Sequence, residues 1–413
     1  MGIVGLRATD SFDADARPLN WRAGILRRYP NGKAPLTALT SLMSKASTDD
    51  PEYSWWQQVF TSQKVTLTAN AGTGTTLTVA ANPAGEEEGG AFQLVEGHVL
   101  WAPQTGEKML VAADPTSDTA ITVQRGWEGT TPTDIDFDGA GINPNLYVVS
   151  NAFEEGSDAP TAMMYDPTKF FNYTQIFRNT LEATRTALKT RLRTYELAQE
   201  AKRQAAELHS VEMEKALWFG VKSETTRKGR PIRTTAGVLS FIDAGNIVAP
   251  ADPAAGVEMQ EFEAWMEQMF RFGSDEKMGF SGNLALLAIQ QMVRRNTNMQ
   301  IFSGIKEFGM RVTRLDSPFG SIVIKTHPLF NQMLGGTTAG TAYYGMNSTL
   351  VVLDMAELKY RYLVDSDTKY QPVLQDNGVD GMKSGYLTEC GLEVHHGKNH
   401  FRINSLVAGA ADT

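Results

Sequence analysis

Cys390 is the only cysteine in 413 residues, which excludes an intrachain disulfide framework and fits a reducing compartment. No stretch reaches the ~18 consecutive apolar residues that a membrane-spanning helix requires, and the first residues carry no basic-then-apolar signal pattern. The expectation is a protein that contacts no membrane and stays in the cytoplasm where it is made. Catalytic signatures are missing too: there is no Ser-His-Asp elbow, Walker A loop or HExxH helix. The many carboxylates form no pair that sequence alone marks as general acid and base. An enzyme reading therefore has no specific residue under it, and no cofactor is implied.

Basic residues are scarce in one region only. Residues 49–160 carry three against seventeen acidic side chains, whereas residues 1–48 have a balance of +4 and residues 161–233 a balance of +6. The net charge of −9 hides this segregation. Such a chain can rest one cationic face on a polyanion and turn an anionic face to water.

Glycine and proline are absent from the 52 residues 168–219, the longest such stretch in the chain. Ala, Leu, Glu, Lys, Arg and Gln dominate from Arg178 to Phe219, which predicts one helix of about 40 residues, roughly 60 Å long. Phe177, Leu181, Leu188, Leu192 and Tyr195 set an apolar stripe that Ala206, Met213, Ala216 and Leu217 resume. Gln199, Lys202 and His209 interrupt it, so the rod is expected to pack at its ends and expose its middle.

Before this rod, residues 1–34 read as an extended arm with Arg7, Arg17, Arg22, Arg27 and Arg28 scattered along it. A short helix is expected from Pro35 through Met43, ended by Asp49-Asp50-Pro51. The aromatic Trp55-Trp56 pair follows. From Lys64 to Val149 short β-rich runs recur between Gly, Asn, Pro and Asp. Gly72-Thr-Gly74 lacks the third glycine and the helix of a nucleotide loop and is expected to be a hairpin turn. Glu86-Glu87-Glu88 is expected to be a solvated loop.

After the rod, Lys222 to Arg233 reads as a basic, flexible loop. Phe262, Trp265, Met266, Met269 and Phe270 predict an amphipathic helix ending at Gly273. A second helix is expected to carry Leu284, Leu287 and Met292 inward, capped by Ser281 or Asn283. Strands are expected at Arg311–Leu315, Ile322–Lys325, Thr349–Asp354 and Leu358–Val364, then a last unit from Ser384 to Val407. Cys390, His395, His396 and His400 are the one metal-like grouping, but their spacing matches no zinc pattern and no metal site is expected.

The order of basic arm, Pro35-Leu-Thr-Ala-Leu39 helix, Trp55-Trp56, acidic β segment and long helix resembles the major capsid proteins of tailed bacteriophages. It is most similar to the short-tailed-phage group with an enlarged β extension. The residues that carry the resemblance are Arg125-Gly-Trp-Glu-Gly-Thr130, Glu155-Gly-Ser157, Asn172-Tyr-Thr-Gln-Ile-Phe-Arg178, Glu214-Lys-Ala-Leu-Trp-Phe-Gly220 and Gly229-Arg-Pro-Ile-Arg-Thr-Thr-Ala-Gly237.

That resemblance implies an α+β fold of the Hong Kong 97 type. It would have an N-terminal arm (1–50), an extended E-loop with an acidic β insertion (51–150), a peripheral domain with the spine helix (151–232), an axial domain (233–372) and a return to the peripheral domain (373–413). The implied function is a major head protein that self-assembles as pentamers and hexamers into an icosahedral shell around double-stranded DNA. Scaffold, portal and decoration proteins would be its partners, and the virion its destination after assembly in the host cytoplasm. No charged helical prefix precedes the arm, so the expected scaffold is a separate protein.

Arg185, Lys189, Arg191 and Arg193 are then the candidate DNA-facing residues, with Glu182, Glu196 and Glu200 as rival i,i+3 and i,i+4 partners. Arg22, Arg27, Arg28, Trp55, Trp56, Lys108, Arg227, Lys228 and Arg230 are candidate inter-subunit contacts. Some relatives weld subunits through a lysine–asparagine bond. Lys108 and Asn399 match those roles by little more than position, because proximity and an activating carboxylate must come from the neighbour. The alternatives are an encapsulin-like nanocompartment shell and a virion decoration or adhesion protein using Trp101 and Trp127.

Overall fold

The computed structural model describes residues 43–58, 63–70, 72–81, 90–135, 145–164, 167–190, 196–253, 255–295, 301–307, 310–338, 341–343 and 345–407. The arm 1–34, the helix placed at 35–42 and the Glu86–Glu88 run lie outside them. The chain forms two units: Ser54–Phe170 is one, and Met1–Tyr53 with Phe171–Thr413 is the other. Residues beyond Met43 do not continue a helix. They form strand β1 (Ser44–Thr48), and strand β2 (Glu52–Gln57) follows Pro51.

The smaller unit contains β3 (Lys64–Thr66), β4 (Thr76–Thr78), β5 (His98–Trp101), β6 (Lys108–Val111), β7 (Ala120–Gln124) and β8 (Asn145–Asn151), hydrogen-bonded in the order β3-β8-β5-β6-β7-β4. All neighbours are antiparallel. Beyond β3 and β4, Leu67 bridges Val79, with Thr68 N donating to Thr78 O at 3.0 Å and Ala80 N to Thr66 O at 2.8 Å. The sheet thus closes into a barrel, which removes its free edges. Val65, Leu77, Leu100, Met109, Ile121 and Leu146 fill it, none more than 1% exposed. The Gly72-Thr-Gly74 stretch makes the turn between the paired strands, with Gly72 at φ +52°.

Strand β9 (Thr168–Tyr173), paired with β2, brings the chain back. The next element corrects the sequence reading. Residues expected to begin the long rod form strand β10 (Gln175–Thr184), followed by the five-residue α1 (Arg185–Lys189) and then α2 (Leu197–Phe219). The helix is 23 residues, about 35 Å. Residues four apart share a face in a helix and in a strand alike, so Phe177 and Leu181 fit both periods. What decides is Ile176, Thr180 and Thr184, β-branched residues on the exposed side, together with a ten-residue antiparallel register against the late strand β23 (Gly381–Val394), from Gln175↔Cys390 to Thr184↔Gly381.

At the polar waist of the helix Gln199 is exposed and Lys202 half-buried, but His209 is not solvated. Ala205, His209, Met213 and Leu217 form one buried stripe at four-residue steps. His209 Nδ1 meets Asn179 Oδ1 of β10 at 2.7 Å, and Nε2 meets Thr388 Oγ1 of β23 at 2.7 Å. Burial lowers the His209 pKa, so the neutral ring serves as a polar peg between helix and sheet.

Beyond α2 the chain forms a hairpin, β11 (Ser223–Arg227) and β12 (Arg230–Thr234), then β13 (Ile247–Val248), α3 (Met259–Met269), β14 (Glu276–Ser281), α4 (Asn283–Arg295), β15 (Ile301–Glu307), β16 (Met310–Ser317) and β17 (Gly320–Thr326). The small pair β18 (Gly336–Thr338) and β19 (Thr341–Tyr343) precedes β20 (Leu350–Leu353), β21 (Leu358–Leu363), β22 (Lys369–Gln371), β23 (Gly381–Val394) and β24 (Phe401–Ile403). Two sheets result. One runs β1-β21-β23-β10 with β22 also on β23; the other runs β13-β24-β20-β14-β17-β16-β15.

The central strands β20, β14 and β17 of the seven-stranded sheet are buried on both faces. Ile322, Ile324, Leu350 and Val352 point to α3 and α4, while Val323, Val351 and Leu353 point to a core shared with Trp218, Cys390 and Leu392. The expected buried side of α3 is observed. That of α4 is observed only at Met292: Leu284 and Leu287 are 43% and 42% exposed, and Ala285, Ala288 and Ile289 join Met292 against the sheet. Small alanines let this helix approach closely, so size alone picked the wrong stripe. Neither expected cap serves either. Ser281 ends β14 and Asn283 is already helical, with its amide donating to Asn331 Oδ1 at 2.7 Å.

Candidate assembly surfaces

Three of the sequence pieces that carry the resemblance meet at one buried knot in the larger unit. Asn172 is fully buried at the end of β9. Its Nδ2 donates to Thr235 Oγ1 (3.1 Å), Ala236 O (3.2 Å) and Leu392 O (2.7 Å), and its Oδ1 accepts Ala236 N and Tyr173 N, both at 2.9 Å. Gly237 N donates to Gly220 O at 2.9 Å, and a Cβ on either glycine would lie within 2.6 Å of backbone oxygen atoms. Beside them Glu214 accepts from His327 Nε2 at 3.0 Å, both groups wholly buried against Trp218 and Phe330. These residues hold the scaffold, and the surfaces below are what it presents.

Arg185 and Lys189 are exposed on α1. Of the rival partners, Glu182 bonds Lys383 (3.2 Å) and Glu200 bonds Arg203 (2.8 Å), while Arg185 approaches Asp380 at 3.9 Å. Arg191 and Arg193 lie outside the described residues, as do Arg22, Arg27 and Arg28.

Lys222–Arg233 is a hairpin rather than a flexible loop. Lys228 (φ +52°) and Gly229 (φ +72°) are both left-handed, the pattern of a type I′ two-residue turn whose twist matches the flanking strands. Arg227, Lys228 and Arg230 sit exposed at its tip. At its base Lys222 Nζ lies 3.5 Å over the Phe171 ring, and Arg233 bonds Glu224 at 3.0 Å.

Of the tryptophan pair, Trp56 is 63% exposed but Trp55 is buried, stacked on Phe170 with centroids 6.4 Å apart. Alternation along β2 puts the two on opposite faces, so Trp55 belongs to its own unit's packing and not to an outer contact. Lys108 is paired with Glu128. Asn399 is 9% exposed, and its carbonyl accepts Lys277 Nζ at 2.8 Å.

The barrel unit also holds a buried ion pair. Arg125 grips Glu107 through Nε (2.7 Å) and Nη2 (2.6 Å) and donates to Gly72 O, Gly74 O and Thr133 O. Burial pushes the Glu107 carboxyl up, but Arg125 and the amides of Thr133 and Gly126 outweigh it and hold the pKa below the usual value. No sequence signal marked this pair beyond its place in the Arg125–Thr130 piece.

Cys390, His395, His396 and His400 are not gathered as ligands. Cys390 is inside the core, His395 bonds Glu393, and His400 Nε2 donates to His395 O at 3.2 Å while Nδ1 accepts Asp354 N at 3.3 Å. Burial lowers the His400 pKa to about 4. Among the described residues no helix is long and apolar enough to cross a membrane.

A search of curated proteins finds the major capsid protein of Pseudomonas phage PaMx41, 27% identical over 370 residues, covering 87% of this chain and 82% of that protein. Among solved structures, the capsid of a native GTA particle aligns over 97% of this chain and 98% of its own, with 9% identity and a TM-score of 0.45. The SrpI encapsulin of Synechococcus elongatus aligns over 59% and 77%, with 9% identity and a TM-score of 0.39. The family model for the SU10 major capsid protein matches residues 20–407, and the chain belongs to that family of phage major capsid proteins.

Proposed function

We propose that this chain builds the icosahedral, Hong Kong 97-type shell of a tailed phage, as pentamers and hexamers around double-stranded DNA. The observation that carries the reading is the family match over residues 20–407, and exposed charged and apolar projections on the single chain are consistent with it. The arm, E-loop, peripheral and axial divisions given above belong to this proposal, as do a separate scaffold, a portal and assembly in the host cytoplasm. The family is a structural one, which supports a shell role over an enzymatic one.

In this reading the cations on and after α1, Arg185, Lys189, Arg191 and Arg193, face the packed genome. A moderately basic lining lowers phosphate repulsion without tight binding. The acidic barrel faces outward. Negative-stain microscopy of the full-length protein, expressed with its scaffold, is expected to show isometric shells. Discrete monomers, or shells loaded with protein cargo in place of DNA, would overturn the reading. Neutralising the four cations is expected to reduce packaged DNA while empty shells persist, and equal loss of both would remove their DNA-facing role.

A further inference from the structure

A two-stranded sheet without a third strand is marginal in water unless something packs on it. The β11–β12 hairpin is such a sheet: all of β11 is exposed, as are Arg230, Pro231 and Ile232 on β12. Lys222 and Arg233 are occupied at its base. Among the described residues, Arg227, Lys228 and Arg230 form no ion pair, so the turn carries three free cations beside Ile232, itself 40% exposed.

The opposite character lies in the barrel unit. Its only basic side chains in residues 90–135 and 145–164 are Lys108 and Arg125, both tied to glutamates of the same unit. The segment after β8 runs back along one edge: Ala152 N donates to Gly97 O at 2.8 Å, and Thr161 Oγ1 donates to Asp114 Oδ2 at 2.6 Å. Asp114 Oδ1 also accepts Glu96 N at 2.8 Å. This gathers Glu96, Asp114, Glu154, Glu155 and Asp158, all exposed, along an edge with no basic residue among them.

We infer that the tip of the hairpin docks on this carboxylate-rich edge of a second copy of the chain. The inference rests on the shell reading. Every assembly supplies the two surfaces in equal number, and because they differ, the contact is heterologous, the kind that builds rings when its rotation closes. Ile232 and Pro231 beside the cations favour a protein surface over bare phosphate. Individual exposed ion pairs are weak, so the contact depends on several acting together and weakens with salt.

The test uses full-length protein with its scaffold. One variant carries Arg227→Glu, Lys228→Glu and Arg230→Glu; another carries Glu154→Lys, Glu155→Lys and Asp158→Lys; a third combines all six. Each triple is expected to lose at least tenfold in sedimentable shells with an unchanged melting temperature, and the combination is expected to recover at least half of the wild-type yield. Triples that assemble normally, a combination that stays inactive, or intact shells lacking only DNA would each overturn the contact. Carbodiimide coupling of mixed light- and heavy-isotope subunits gives a second readout, valid on whatever oligomer forms. Mixed-isotope peptides joining Lys228 to residues 154–158 are expected. Same-isotope peptides alone would mean an intrachain contact and sink the proposal. Wild-type protein that forms no shell at all counts against the shell reading, and the coupling result still decides the contact.

Discussion

Asn172 Oδ1 accepts the amide of Ala236 at 2.9 Å, across 64 residues of sequence, while Nδ2 of the same side chain reaches Leu392 O at 2.7 Å. One amide group thus ties β9, the segment after β12 and β23. Asn172→Leu removes every one of these bonds and strands buried backbone groups, each costing about 1–3 kcal/mol. The expected outcome is a loss of about 3 kcal/mol or more in denaturant unfolding of the unassembled subunit. A change under about 1 kcal/mol would show that water replaces the amide.

The glycines Gly220 and Gly229 give a sharper contrast. A Cβ on Gly220 would sit 2.3 Å from Thr235 O and 2.5 Å from Ala216 O, whereas one on Gly229 meets nothing within 4 Å. Gly220→Ala must therefore push closely packed backbone segments away from each other, at a cost of about 3 kcal/mol. Gly229→Ala pays only the left-handed backbone strain at φ +72°, about 1–2 kcal/mol. Soluble expression and melting temperature are expected to fall much further for the first. Equal effects would mean that the crossing relaxes easily.

The β-rich runs of the barrel were legible because period two, glycine punctuation and β-branched residues agree there. The start of the supposed rod was not, since Phe177 and Leu181 satisfy both periods and only the partner strand β23, some 200 residues away, decides between them. His209 looked like a break in the stripe because its partners, Asn179 and Thr388, are likewise distant in sequence. The cationic patch was visible as composition, but its hairpin came from Lys228-Gly229, a turn signal that a reading based on charge passed over. Local chemistry was thus readable, and whatever a remote strand arbitrates was not.

Cys390 is fully buried among Tyr360, Tyr53 and Leu392, and burial pushes its thiol up to about 12. The thiolate is the reactive species, so the native protein is expected to resist a disulfide-exchange reagent at pH 8 for hours. The urea-unfolded chain should take up one equivalent within minutes. Rapid labelling of native protein would show that the β21–β23 core opens locally.

Glu393 sets the acid limit of the same sheet. It is 2% exposed and bonded to His395 and Arg361. Burial alone would raise its pKa, but those two partners hold it at about 2, against an ordinary 4.5. A depressed folded pKa stabilises the protein fully above the ordinary value and ceases to do so as pH falls from 4.5 towards 2. The shift corresponds to about 3 kcal/mol. Glu393→Gln abolishes this titration, so the stability gap between wild type and variant is expected to shrink by most of that amount between about pH 5 and pH 2.5. Urea midpoints of the unassembled subunit measure it. A gap independent of pH would place the acid sensitivity of the fold in other carboxylates and reduce Glu393 to a packing role.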